Sequence, residues 1–433
     1  MAGVSTTESG PPGLARKLGV TDAVVIGLGS MIGAGVFAAF GPAARAAGGG
    51  LLIGLAIAAL IAYCNATASA QLAAVYPTSG GTYIYGRERL GHWWGFAAGW
   101  GFVIGKTASC TAMAITFAAY AVPGDRWAQR LVAVAAVVAL TALNYRGVTK
   151  TAGLARILVT LTLIALAALV LAILVFGNPD AGAIDGWTGE GGPIYGTLQS
   201  AGLLFFAFAG YARIATMGEE VREPTVTIPK AIPRALGITV VIYAVIGVTA
   251  LLAAGPERLA ESTAPLVTAL EDAGVGGMAP VVRIGAAVAS LGALLALIAG
   301  IGRTSLAMAR NGDLPGWLAA VHPTWRVPHH AEIALAVVVS GLVLLVDLRG
   351  AIGFSSFGVL IYYAIANASA WTQSGSDRRW PRWLNALGLI GCLVLVATLP
   401  WQSVLAGLAM FAIGLGGRWL VRRSWRTRGT ARS

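Results

Sequence analysis

The chain has 433 residues, of which 57% are hydrophobic and only 11% charged, and its formal net charge is +12. Soluble domains carry roughly 25% charged residues, so the composition excludes the two or three soluble domains that the length would allow. The basic residues are spread over many short connections rather than gathered on one domain, which removes the support for a nucleic-acid partner.

Long stretches lack Asp, Glu, Lys and Arg altogether: 23–44, 46–86, 157–179, 191–212, 235–256, 284–302, 350–376 and 383–417. A helix needs about 20 apolar residues to cross the hydrocarbon core of a bilayer, so an all-α polytopic membrane protein is expected. In chain order the predicted spans are 21–46, 50–75, 91–121, 127–145, 153–177, 196–219, 230–254, 278–309, 331–347, 351–372, 383–399 and 402–420, twelve transmembrane helices in all. Residues 1–20, rich in Ser, Thr, Gly and Pro, read as a tail, with no short apolar core and cleavage site of a signal peptide. Leu399-Pro400-Trp401 is a tight turn, since proline lacks the amide hydrogen a continuing helix needs. Cys64, Cys110 and Cys392 sit in apolar runs without paired spacing, so neither a disulfide framework nor a metal site is expected.

Twelve spans put both termini on one side. With the N-terminus inside, the inner connections and the tail 421–433 hold most of the basic residues, among them Arg16, Lys17, Arg87, Arg89, Lys150, Arg303 and Arg423. Arg45, Arg126, Arg130, Arg258, Arg283 and Arg349 alone fall outside. Cytoplasmic loops retain the excess of Lys and Arg, so both termini are expected in the cytoplasm, with the chain in the plasma or inner membrane.

Two spans read as poor helices. The first carries Gly27, Gly29, Gly33 and Gly35, and an interior glycine costs roughly 1 kcal/mol relative to alanine. Close packing through small residues is one explanation; a discontinuous helix whose free amides and carbonyls bind a ligand at the membrane midplane is the other. The sixth runs Phe205-Phe206-Ala207-Phe208-Ala209-Gly210-Tyr211-Ala212-Arg213, aromatic residues followed by a glycine and a charge. Irregular segments five helices apart favour two inverted five-helix repeats, 21–177 and 196–372, with a site between them and two further C-terminal helices in 383–420.

At these residues the chain resembles the amino acid–polyamine–organocation (APC) superfamily. GLGSMIGAGVF in span one is similar to its opening motif. Tyr76 to Tyr85 resembles P-x-x-G-G-x-Y-x-Y, and the exit of span six, EEVREPTVTIPKAI, resembles E-E-x-x-x-P-x-x-x-I-P. Arg303 to Pro315 followed by Val321-His322-Pro323 resembles R-x-x-x-A-M-A-R-D-G-x-L-P with V-H-P. The four motifs lie in order over about residues 20–330.

The resemblance implies an amino acid permease, not an enzyme and without cofactors, that moves its substrate by alternating access. The substrate would lie between spans one and six, in the region of Met31, Ile32, Gly33, Ala34 and Gly35 and of Phe206, Phe208, Ala209, Gly210 and Tyr211. Its carboxylate would take the amides of Gly33, Ala34 and Gly35, and its ammonium the carbonyls of Met31, Phe206 and Ala209. Phe206, Phe208 and Tyr211 would wall or gate the pocket. Half-helix N-termini present free N–H groups and C-terminal ends present carbonyls, so the physics agrees.

The expected pocket has no Asp or Glu, and some relatives carry an acid where this chain has Ala212, so neutral or acidic amino acids are favoured over cationic ones. Lys106 and Arg213 lie within spans, where a charge costs at least about 2.5–3.5 kcal/mol on insertion scales. Lys106 is a candidate for proton coupling or for a structural cation; the span-five lysine of some relatives corresponds here to Thr162. Arg213 and Glu220, seven residues apart, form a candidate gating or structural ion pair. Residues 291–302 offer no hydroxyl or acid for sodium, so proton-driven symport or exchange is expected. A cationic amino acid or polyamine transporter, and a non-transporting receptor on the same fold, are the alternatives. Membrane lipid is the expected surrounding partner, and the sequence leaves the oligomeric state open.

Overall fold

The computed structural model describes residues 18–78, 80–147, 152–180, 182 and 189–430. Arg16, Lys17, Ser79, Lys150 and the rest of 1–17 and 431–433 lie outside the described residues. Apart from one isolated bridge between Leu18 and Val221, the regular structure of the described residues is helical.

The helices are α1 (Val20–Met31), α2 (Ala34–Ala38), α3 (Phe40–Ala47), α4 (Leu51–Val75), α5 (Thr82–Leu90), α6 (His92–Ala121), α7 (Arg126–Tyr145) and α8 (Ala152–Leu171). They continue with α9 (Thr197–Phe208), α10 (Ala212–Ala215), α11 (Pro224–Glu261), α12 (Pro265–Asp272) and α13 (Ala279–Arg310). The last are α14 (His329–Leu345), α15 (Leu348–Trp371), α16 (Arg382–Thr398) and α17 (Trp401–Thr430). Ten segments of the described chain are long and apolar enough to cross a membrane. The expected ninth and eleventh spans, α14 and α16, are apolar but have 17 residues each, about 26 Å at 1.5 Å per residue. The chain is a multi-pass membrane protein.

Several boundaries differ from expectation. Span one is interrupted at Ile32 and Gly33, as the discontinuous-helix reading expects, but its second part is further divided into α2 and α3. Span seven begins earlier, at Pro224, and Gly255, at φ 69° and outside helical geometry, kinks it ahead of Pro256, so that a separate short helical stretch follows to Glu261. Helix α17 runs on to Thr430, past the expected limit at 420. Short helices α5 and α12 were not foreseen, and each connects longer ones.

Large apolar side chains point outward along the spans, among them Leu131, Ile157, Val241, Ile284, Val337 and Ile413. An apolar exterior of this extent needs lipid rather than water. Exposed tryptophans mark helix ends, with Trp127 and Trp401 opening α7 and α17, as in the aromatic belts of membrane proteins.

The core is built around α6, α15 and the broken helices. Small residues let α6 and α15 approach closely: a Cβ on Gly358 would lie 2.6 Å from the Gly101 carbonyl oxygen and 3.0 Å from Gly105 Cα. Backbone bonds join the ends of the broken helices. On the N-terminal face, the Leu18 amide donates to the Glu220 carbonyl (3.2 Å) and the Arg222 amide to the Leu18 carbonyl (2.8 Å). On the far face, the Glu190 and Gly191 amides donate to the carbonyls of Arg45 (3.0 Å) and Ala46 (3.2 Å).

Candidate functional site

The two interruptions face each other. After Met31 the backbone leaves helical geometry at Ile32 (φ −80°, ψ 50°) and Gly33 (φ −96°, ψ −138°), then α2 begins. Helix α9 passes into a 3-10 turn at Ala209–Tyr211 before α10. Glycine is required where these backbones meet: a Cβ on Gly210 would lie 2.2 Å from the Ser30 carbonyl oxygen, and one on Gly35 would lie 2.6 Å from Ala207 Cα. Only a residue without Cβ allows such an approach.

Between the breaks lies a cavity of about 90 Å³. Phe102, Lys106, Ser109 and Met113 line it from α6, and Ala293, Leu297, Gly300 and Thr304 from α13. Both sets follow i, i+4, i+7 and i+11, the spacing of one helix face. Met31, Gly35, Phe206, Ala209, Gly210 and Arg213 complete the wall beside the breaks.

Protein side chains engage the carbonyls at the breaks. The Tyr243 hydroxyl, buried, lies 2.6 Å from the Met31 carbonyl oxygen and 3.1 Å from that of Ala207, with one proton to donate. The Ala209 carbonyl accepts from Lys106 Nζ at 3.3 Å and from the Tyr363 hydroxyl at 3.3 Å. Lys106 is 6% exposed, so its amine meets the 3-10 turn of the sixth span rather than snorkelling to an interface.

The cavity reaches the N-terminal face at Arg213, Thr216 and Arg303. There Glu220 accepts from Arg213 at 3.2 Å and lies 3.9 Å from Arg303. The far side is closed by packing: the Tyr120 hydroxyl donates to the Phe37 carbonyl (2.8 Å) and accepts from the Leu266 amide (3.3 Å). This ties α6, α2 and α12 together above the breaks.

The family profile described as "Amino acid permease" matches residues 18–413. The chain belongs to the amino acid permease family. Its resemblance to APC proteins, drawn from the four motifs, is thereby borne out, and the protein is a transporter rather than an enzyme. The permease is 58% identical to an uncharacterized transporter of Mycobacterium tuberculosis over 96% of its own length and 94% of the relative's. It is 26% identical to a branched-chain amino acid permease of Bacillus subtilis, with 94% of this chain and 93% of the relative covered. Identity to a chloroplastic cationic amino acid transporter of Arabidopsis thaliana is 27%, over 90% of this chain and 72% of the relative.

In the permease, the sequence-derived residues divide into two groups. Met31, Gly35, Phe206, Ala209, Gly210, Lys106 and Arg213 share the cavity wall. Ile32, Gly33, Ala34, Phe208 and Tyr211 do not line it. A Cβ on Gly33 would meet that of Ala293 at 2.7 Å, Phe208 packs on Tyr243 (ring centroids 5.0 Å) and Tyr211 on Tyr363 (5.0 Å). Glu220 is at the N-terminal face with Arg213. Phe102, Ser109, Met113 and the α13 face were missed from sequence, although stepping by helical spacing from Lys106 would have found the three on α6. Among the described residues no cluster of His, Cys, Asp or Glu could hold a metal ion.

The pair at the N-terminal face is half-exposed, with side-chain exposures of 30% for Arg213, 26% for Glu220 and 47% for Arg303. Such pairs contribute at most about 1 kcal/mol. Glu220→Gln is therefore expected to leave thermal stability nearly unchanged while altering the rate of solute exchange, as read by uptake time courses.

Proposed function

We propose that the protein is a secondary active transporter that moves amino acids by alternating access through the cavity between its two broken helices. The observation that carries this proposal is the juxtaposition of both breaks at one cavity, sealed by Tyr120 on the far face and reaching the opposite face at Arg213 and Arg303. Twelve crossings, with α14 and α16 included as short spans, would give two inverted five-helix repeats and two added helices. Both termini would then be cytoplasmic and the protein would sit in the plasma membrane. Free amides near Gly35 and the turn at Ala209–Tyr211 would receive the substrate backbone.

Among the described residues no acid lines the cavity, which supports neutral or acidic amino acids over cationic ones. The relatives' names, a branched-chain amino acid permease and a cationic amino acid transporter, keep the class broad. Proton-coupled symport or exchange fits the α13 face, where Ala293, Leu297 and Gly300 offer no side-chain oxygen and Thr304 bonds back to the Gly300 carbonyl at 3.1 Å. Lys106 is the coupling candidate because it links α6 to the 3-10 turn of the sixth span.

Uptake of labelled amino acids into proteoliposomes is the test of coupling. An inward proton gradient is expected to stimulate uptake and an imposed sodium gradient to leave it unchanged. Lys106→Met should remove the proton response. Strict dependence on sodium would reject the coupling assignment.

A further inference from the structure

Two of the carbonyls expected to accept a substrate ammonium already hold donors from the protein. Met31 has Tyr243 at 2.6 Å, and Ala209 has both Lys106 and Tyr363 at 3.3 Å. The Lys106 amine thus stands at the Ala209 carbonyl, where the cationic end of a zwitterion would bind. A substrate ammonium entering there would meet a like charge and a carbonyl already shared between two donors.

The charges on the wall have one sign. Lys106, Arg213 and Arg303 line the cavity, and among the described residues no Asp or Glu does. Glu220, set back at the N-terminal face, serves both arginines. Among the described residues Lys106 forms no ion pair, and its hydrogen bond goes to a neutral carbonyl. A buried cation without a counter-charge is costly, and an anion placed beside it offsets that cost. Phe102 and Met113 flank Lys106 on the same face of α6 and supply apolar walls on either side of the charge.

We propose that the cavity selects anionic solutes, that Lys106 draws their carboxylate, and that an α-ammonium is not required for binding. A dicarboxylic amino acid and its 2-oxo counterpart would then bind alike. The proposal rests on the assignment of this cavity as the solute site, and it narrows that assignment to carboxylates with net negative charge.

The test uses the full-length protein in nanodiscs, titrated calorimetrically with L-glutamate, 2-oxoglutarate, L-leucine and L-arginine. Glutamate and 2-oxoglutarate are expected to bind within about tenfold of each other, and arginine not to bind. Lys106→Met should weaken both anions by about tenfold or more while leaving any leucine affinity within about threefold, and Lys106→Arg should retain anion binding. Leucine binding without a response to 2-oxoglutarate would overturn the proposal while leaving the cavity as a solute site. An equal loss for every ligand in Lys106→Met would also overturn it, because Lys106 would then only prop the turn at Ala209. If the wild-type protein binds none of the four, the cavity assignment itself fails and the proposal with it.

Discussion

Gly210→Val is expected to abolish solute uptake and to lower thermal stability markedly. The Cβ would lie 2.2 Å from the Ser30 carbonyl oxygen, 2.3 Å from its carbon and 2.5 Å from the Met31 amide nitrogen. All three are backbone atoms at the end of α1, so no flexible side chain can move aside. Overpacking of an interior costs about 1–3 kcal/mol even where side chains give way, and here the two broken helices must separate. The clash falls at the junction of the breaks, so function should be lost even in the fraction that folds. Gly237→Ala is the contrasting substitution: a Cβ there meets nothing within 4 Å, and alanine is the better helix former. That variant should match the wild type in uptake and in thermal unfolding.

Arg418→Ala is expected to destabilise the protein by about 3–5 kcal/mol, the usual result of removing one member of a buried ion pair. Arg418 Nη2 lies 2.7 Å from Asp313 Oδ1, and both side chains are 4% exposed. The guanidinium also sits over the rings of Phe96 (4.4 Å) and Trp93 (5.1 Å). The second oxygen of Asp313 accepts from the Tyr83 hydroxyl at 2.8 Å. One carboxylate thus joins α17, the connection after α13, and α5. Without Arg418, Asp313 would stay buried beside a hydroxyl that offsets little of its charge. Arg418→Lys keeps the charge but lacks the planar fork and its stacking on the rings, so it should fall between wild type and alanine. In a double variant with Asp313→Ala the losses should not add, since one interaction is removed twice. Thermal unfolding of the purified proteins checks all three.

The buried pair also gives α17 a role that its sequence did not suggest. In sequence the last two helices lie outside the repeats, and Arg418 is one more basic residue just ahead of the tail 421–433. Its partner is more than a hundred positions away in a loop, and no local pattern links the two. The same holds at the site. The break in the first span is legible because Gly33 and Gly35 are poor helix formers, and the break in the sixth because Gly210 follows a tight aromatic run. What closes the carbonyls at those breaks is not legible: Tyr243 reaches Met31 across 212 positions and Lys106 reaches Ala209 across 103. Lys106 stood out as a charge inside an apolar span, while Tyr243 looked like one more aromatic residue in α11. Phe208 and Tyr211 looked like pocket walls because they neighbour the break. Phe208, the last residue of α9, instead packs in the core against Tyr243, and the 3-10 turn directs Tyr211 onto Tyr363, since three-residue turns rotate side chains off the 3.6-residue period.

Lengths were legible only in part. Hydropathy located α14 and α16 and also their shortness, 17 residues each, which is set by Pro328 and Pro381 at their starts and by Val346 and Leu399 at their ends. Helices α5 and α12, of 9 and 8 residues, are too short to be separated from loops on sequence alone.

Counterflow tests most directly whether the cavity between the broken helices carries solute across the membrane. Proteoliposomes containing the wild-type protein would be preloaded with a mixture of unlabelled amino acids and diluted into trace labelled glutamate or leucine, with no ion gradient imposed. A carrier whose site opens to each face in turn should show a transient accumulation of label above equilibrium, and the Gly210→Val protein should show none. Saturable binding of label by the wild type with no overshoot would contradict alternating access and identify a receptor instead.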